Sequence, residues 1–323
     1  MTFLNARFAG AVLLGGITAT AVTSGSVATH DPASQFSDYV LAPPMRIHVI
    51  DPSGDWHAPF VYPLRLEDRL ERRYSEDRTR QLRVQWFHKG RLASVDDAEW
   101  FPLGTDALGR DVFARLVRGA RLSLGVAATA AAVALVIGAL VGGVAGAFGG
   151  LIDDLLMRVS DLVIALPGIY VAVTLRAALP LVLTPTEIFW TIAAVFAVIG
   201  WPIAAKGVRA IVAAERQKEY AEAARAAGGG RTRLLLRHLL PATQGFLLVQ
   251  ATLLLPAFIL AEATLSFIGL GFPDSTPSWG VMLQEAGAGR VLVEAPWLLA
   301  PGVAISASIL SINLLLRTPK LPA

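Results

Sequence analysis

The chain of 323 residues has no cysteine, which excludes disulfides, thiolate-bound zinc, iron–sulfur clusters and thiol catalysis. Charge is also scarce. Asp, Glu, Lys and Arg make up 16% of the chain, against the ~25% usual in soluble domains. With 54% hydrophobic residues and a mean hydropathy of +0.56, that balance argues against a purely soluble globular protein. The apolar content also excludes a disordered chain, and 29 Gly and 19 Pro without a fixed period exclude a collagen-like one. Lysine is nearly absent, and none of Lys89, Lys206, Lys218 and Lys320 follows a glycine. No Gly-Lys-Ser/Thr phosphate loop exists, so the chain is not expected to hydrolyse ATP. The apolar segments contain no His pair, HExxH or GxSxG, which argues against an intramembrane hydrolase.

What is present falls into charge-free runs. Phe8–Thr29 covers 22 residues, Leu122–Ile152 31, Ile188–Ala205 18, Leu239–Ala261 23 and Ala295–Leu316 22. Leu162–Leu175 adds 14, interrupted by Arg176 before ten more. A helix rising ~1.5 Å per residue needs about 20 apolar residues to cross ~30 Å of hydrocarbon. The pattern therefore predicts an all-α polytopic membrane protein with six transmembrane helices. The first segment, within 1–30, is the least apolar. Ser26-Val27-Ala28 resembles a signal-cleavage site, so a cleaved export signal competes there with a retained anchor.

Lys and Arg in short loops set orientation. Residues 206–238 carry eight: Lys206, Arg209, Arg216, Lys218, Arg225, Arg231, Arg233 and Arg237. The tail adds Arg317 and Lys320 and the 153–161 loop Arg158, whereas 181–187 has none and 271–294 only Arg290. This predicts a cytoplasmic 206–238 loop, cytoplasmic termini and an extracytoplasmic 31–103. Loops as long as 31–103 escape the charge rule despite their arginines. Alternation in Arg46-Ile47-His48-Val49-Ile50 and from Gln81 to Phe87 predicts strands, and Pro52-Ser53-Gly54-Asp55 predicts a turn. The insertion after helix 1 therefore reads as small and β-rich or mixed, with a thin core. His48, His57 and His88 match no ligand spacing, and no metal site or cofactor is expected.

Residues 215–241 read ERQKEYAEAARAAGGGRTRLLLRHLLP. Alanines between Glu and Lys/Arg predict a strong helix of about three turns, with surface pairs Lys218–Glu222 and Glu222–Arg225. Gly228-Gly229-Gly230 stops it, Gly228 at positive φ, and Arg231–Leu240 begins a second amphipathic helix that Pro241 punctuates. On composition alone the segment reads rather as a solvated basic loop that only sets topology.

A resemblance separates those readings. Glu222-Ala223-Ala224, then Gly228, then Leu240-Pro241 is similar to the EAA loop of ABC-importer permeases. The string EYAEAARAAG…RHLLP resembles the dipeptide/oligopeptide/nickel branch. So, in order, do Leu103 to Val112 (LGTDALGRDV), Arg115, Gly119 to Leu124 (GARLSL), Pro167-Gly168, Ile259 to Gly271 (ILAEATLSFIGLG) and Pro277 to Gly280 (PSWG). The likeness covers about 100 to 316 and points to the C-type subunit. Three departures stand out: Ala242 where the family has Asn, an end at Leu321-Pro322-Ala323, and a turn lengthened by Gly229-Gly230.

The resemblance implies a type I ABC importer permease fold, with 104–323 as the permease domain of five helices. It implies a bacterial inner-membrane, multi-pass subunit that moves oligopeptides or dipeptides. Nickel chelates, another small solute, or an ion-coupled secondary transporter remain alternatives. Implied partners are a second permease in a heterodimer, two cytoplasmic ABC ATPase subunits, an extracytoplasmic substrate-binding protein and the lipid bilayer, with no nucleic acid. The implied ATPase-coupling set is Glu219, Tyr220, Glu222, Ala223, Ala224, Arg225, Gly228, Arg237, His238, Leu240 and Pro241. Glu262 and Ser266 are candidates for the pathway or gate, on a helix that Pro256 should bend. Glu262 reads equally as a carboxylate buried at a protein interface. A charge facing lipid costs ~2.5–3.5 kcal/mol, so it should face protein or water. Arg176 should snorkel to the outer surface, and Gly138, Gly142, Gly143 and Gly146 should be helix-packing positions.

Overall fold

The computed structural model describes residues 3–69, 71–88, 91–95, 98–178, 180, 183–228, 230–287 and 294–315. Lys89, Gly229, Arg290, Leu316, Arg317, Lys320 and Leu321-Pro322-Ala323 lie outside them. The chain is mostly helical. Its helices are α1 (Phe3–Val22), α2 (Ser24–Val27), α3 (Val112–Phe148), α4 (Gly150–Ala165), α5 (Gly168–Ala177) and α6 (Pro185–Glu215). They continue as α7 (Glu219–Ala226), α8 (Arg231–Leu234), α9 (Gln244–Phe267), α10 (Trp279–Ala286) and α11 (Ala300–Leu315).

Among the described residues, four segments are long and apolar enough to cross a bilayer: Val112–Phe148, Pro185–Glu215, Arg231–Phe267 and Pro296–Leu315. A fifth is counted if α4 and α5, bent by 82°, form one broken span. The bend has a local cause. Proline forces the residue before it out of helical geometry, and Leu166, before Pro167, is extended at φ −81°, ψ 128°. The apolar part of α1 is the shorter Ala6–Val22.

Internal contacts divide the chain into two units, one built on Leu124–Leu265 and the other on Ala9–Ser123 with Ser266–Ser311. In the first, the glycines of α3 admit α6 at close range. A Cβ on Gly138 would lie 2.6 Å from Ala204 Cβ, one on Gly142 2.2 Å from the Ala205 carbonyl oxygen, and one on Gly146 2.7 Å from the Arg209 carbonyl oxygen. These are the packing positions expected from sequence. Gly142→Val should therefore cost about 1–3 kcal/mol by overpacking. Gly245, with nothing within 4 Å of a Cβ, should accept alanine without loss. Thermal unfolding of the detergent-solubilised protein checks both.

Two expected loops are helical instead. Residues 153–161 belong to α4, and α6 runs on to Glu215, so Lys206 and Arg209 sit on a helix. Opposite charge holds them there. Arg209 donates to both oxygens of Asp153, its Nε at 2.9 and 3.0 Å, and Lys206 pairs with Asp161. Thr184 and Glu187 form a capping box at the start of α6, with Pro185 in its first turn. Arg176 does not snorkel. It is only 6% exposed, and its Nε and Nη1 find no hydrogen-bond partner among the described residues. α9 continues through Pro256.

The second unit contains the insertion. Strands β1 (His48–Ile50), β2 (Trp56–Val61), β5 (Leu82–His88) and β6 (Arg91–Val95) form an antiparallel sheet in that order, and β3 (Leu64–Asp68) pairs with β4 (Arg73–Glu76). Its core is small: Met45, Val61, Leu82, Val84, Ala93, Trp100 and Phe101. The 52–55 turn forms as expected, with Gly54 at φ +93°. The Ser53 hydroxyl and the Asp55 amide hold the Asp51 carboxyl down to about 2, so the turn keeps its anchor across the physiological range. His57 and His48 face carboxylates, Asp51 at 3.0 Å and Glu76 at 3.4 Å.

The LGTDALGRDV stretch builds a buried ion cluster in this unit. Arg110 Nε meets Asp106 at 2.7 Å, and Arg115 also donates to Asp106. Both arginines reach Glu285 on α10, Arg115 through two bonds of 2.7 Å and Arg110 through one of 2.9 Å. Gly104 and Gly109 allow the tight turns, at φ +69° and +73°.

Candidate coupling site

The site begins where α6 ends. Helix α7 has eight residues, shorter than the expected three turns, and buries only Ala221 completely. That methyl enters a cluster formed by Ala147, Val208, Val212, Leu234, Leu235 and Leu239. Glu219, Glu222 and Ala223 point outward, Ala224 is half-buried, and Tyr220 is 41% exposed. One apolar anchor thus seats the helix and leaves its acidic face open.

The expected Lys218–Glu222 and Glu222–Arg225 pairs do not form. Lys218 turns back to Glu215 at 2.7 Å, and Tyr220 donates to the other Glu215 oxygen at 2.8 Å. Desolvation, then that hydrogen bond, raises the Tyr220 phenol above its usual range, so it stays a donor. Arg225 instead donates to the carbonyls of Arg216 at 2.8 Å and Ala221 at 3.3 Å. Arg216 in turn donates to the Ala147 carbonyl at 3.0 Å. The Arg216 carbonyl, left over at the end of α6, is a strong acceptor and takes the Arg225 guanidinium from Glu222. The elbow is thereby bonded to the ends of α6 and α3. Arg216 was legible only as a topology charge.

Gly228 closes α7 as expected, at φ +81°, its N–H bonded to the Arg225 carbonyl at 3.0 Å. Nothing lies within 4 Å of a Cβ there, so the backbone angle rather than space selects glycine. The expected second helix is more irregular than a single amphipathic turn. After α8 the backbone widens into a π-turn over Leu235–Leu239, where Leu240 donates to Leu235, and tightens to a 3-10 turn over Pro241–Thr243. Pro241 has no N–H and would clash with a regular helical carbonyl, which explains the change of pitch. Leu240 lies over Gly143 of α3, whose Cβ would fall 2.9 Å from Leu240 Cδ2. Arg237, His238 and Pro241 are exposed.

Between the two short helices lies a cavity of about 240 Å³ lined by Ala224, Ala227, Gly228, Arg233, Leu234 and His238. Ala224, Ala227 and Gly228 leave space there, and Arg233 adds a positive charge to the lining. Arg233, Ala227 and Leu234 were not singled out from sequence. Of the remaining candidates, Glu262 and Ser266 are both fully buried on α9, so Glu262 faces protein and not lipid.

Residues 134–318 match the family model described as binding-protein-dependent transport system inner membrane component. Over 291 residues the chain is 34% identical to the di/tripeptide transport system permease protein of Pseudomonas aeruginosa, covering 90% of this chain and 78% of that one. It is 37% identical over 226 residues to the dipeptide transport system permease protein of Alkalihalophilus pseudofirmus, covering 70% and 71%. Identity to the glutathione transport system permease protein of Escherichia coli is 39% over 217 residues, covering 67% and 68%. The chain belongs to the family of binding-protein-dependent transport system inner membrane components and, within it, to the ABC permeases of the dipeptide/oligopeptide branch.

Proposed function

We propose that this chain is one permease subunit of an ATP-driven peptide importer. An extracytoplasmic binding protein delivers the peptide, a second permease completes the pathway, and two ATPase subunits dock from the cytoplasm. In this reading α1 and the α4–α5 pair complete six spans, both termini are cytoplasmic, and 31–103 lies outside. The names of the relatives support a peptide cargo. The observation that carries the coupling role is the α7–Gly228–α8 elbow. It offers an open face and a cavity lined in part by Arg233 to a partner while Arg225 and Arg216 bond it to two spans.

A lever must transmit displacement and not absorb it. Here the buried Ala221 contact and the carbonyl bonds supply the stiffness expected from surface ion pairs. ATP-driven closure of the ATPases would move the elbow, and α6 and α3 would move with it. Uptake of peptides of graded length by the reconstituted complex, with and without binding protein and ATP, tests the reading. Length-selective uptake that needs both supports it, and ATP-independent uptake along an ion gradient overturns it.

A further inference from the structure

Arg176 is the one charged residue of α5, and it lies on the buried face of that helix. Helix α5 packs on α6 and buries two residues, Ala172 and Arg176. They stand four positions apart, so they share one side of the helix. Ile169, Tyr170 and Leu175 are exposed. The Arg176 Nε and Nη1 are shut off from solvent, and neither donates to any described residue.

A guanidinium carries five N–H donors and keeps its charge in a protein. Buried in a span without a partner it is costly, and such a residue marks a site with a use. Packing does not supply that use, because an apolar side chain of similar length would fill the space without the charge. The group that suits the planar fork is an anion, above all a carboxylate. Every linear peptide brings one at its C-terminus, whatever its side chains. Position favours that source. In the proposed orientation α5 ends at the outer face, where the cargo arrives. A fixed carboxylate on a neighbouring subunit would meet the exposed face of α5 and not the one against α6.

We infer that Arg176 binds the C-terminal carboxylate of the peptide during its passage. The break before α5, where Leu166 is extended and the axes of α4 and α5 meet at 82°, is the hinge that opens the site. As α5 tilts away from α6, the unbonded N–H groups take the carboxylate. The inference deepens the import reading and rests on it.

The test uses the complete reconstituted complex, with trialanine and trialanine amide as cargo and wild type beside Arg176→Met. Acid uptake divided by amide uptake cancels losses of folding and insertion. Dividing that ratio in the variant by the wild-type ratio cancels the preference of the binding protein. The quotient should be about one tenth or less. A quotient near one overturns the inference, and a lowered unfolding midpoint beside it would assign Arg176 to a carboxylate of the second permease. A second readout needs no transport. In the purified complex without binding protein, trialanine should raise the unfolding midpoint more than its amide does in wild type, and not in Arg176→Met. Equal shifts in the two proteins, or none, also overturn the inference. If wild type imports neither peptide, the permease reading fails, and the midpoints still decide the binding.

Discussion

Replacing Gly228 with proline is expected to abolish uptake while the chain still inserts in the membrane. Proline fixes φ near −65°, whereas this position stands at +81° and uses its N–H to close α7 on Arg225. The elbow cannot keep its geometry, and a penalty of ~3 kcal/mol or more corresponds to a loss of roughly a hundredfold or greater. A graded series separates angle from bulk. A Cβ at Gly228 meets nothing within 4 Å, so alanine pays only the left-handed backbone cost of ~1–2 kcal/mol and asparagine less. Uptake should rank Gly, Asn, Ala, Pro, and ATP hydrolysis by the complex should lose its stimulation by binding protein in the same order. Glu222→Lys makes a companion test. Glu222 is exposed and only its backbone N–H, to the Lys218 carbonyl, joins the hydrogen bonds of the elbow, so the charge reversal should leave stability unchanged and still weaken ATPase docking. Normal uptake by the proline variant would remove the lever from the mechanism.

The features legible in the sequence are those set by local chemistry. Charge-free runs located α3, α6, α9 and α11, and glycine spacing marked the face of α3 that receives α6. The alternating strands, the 52–55 turn and the stop at Gly228 were equally local. Partner choice was not legible. Spacing on a helix suggested that Glu222 would hold Lys218 and Arg225, yet Glu215 and a backbone carbonyl took them. Asp153 and Arg158 looked like loop charges because nothing local reveals that Arg209, 56 positions away, neutralises Asp153 on a helix. A single apolar run from Leu162 hid the 82° break at Pro167, and the burial of Arg176 followed from tertiary structure. Sequence periodicity reports which face a residue occupies; the atom it meets depends on competition with other donors and acceptors.

The same limit applies to LGTDALGRDV, where the resemblance marked the residues and their partner on α10 could not be read. Asp106→Ala is expected to be among the most destabilising substitutions in the chain. The Asp106 side chain is 3% exposed, and it accepts from Arg110 and Arg115 and from the backbone N–H groups of Leu108 at 2.8 Å and Arg110 at 2.9 Å. Its removal leaves two buried guanidinium groups with Glu285 as their one carboxylate and the Asp274 carbonyl as a further acceptor for Arg110, and breaking a buried ionic network in this way costs about 3–5 kcal/mol. That is a large fraction of the stability of an ordinary domain. Asp106→Asn separates the two contributions, since the amide oxygen can still cap Leu108 and Arg110 while the charge is lost. It should fall between wild type and alanine. Glu285→Gln should resemble it, because Arg115 meets Glu285 through two parallel bonds and the amide can accept only one of them. The double variant Asp106→Asn/Glu285→Gln should lose less than the sum of the single changes, as members of one network couple. Unfolding midpoints of the detergent-solubilised protein test the scheme. Additive losses would mean that the four charges act separately, and the N-terminal end of α3 would then owe its position to the apolar cluster of Val112 with Met282 and Leu298.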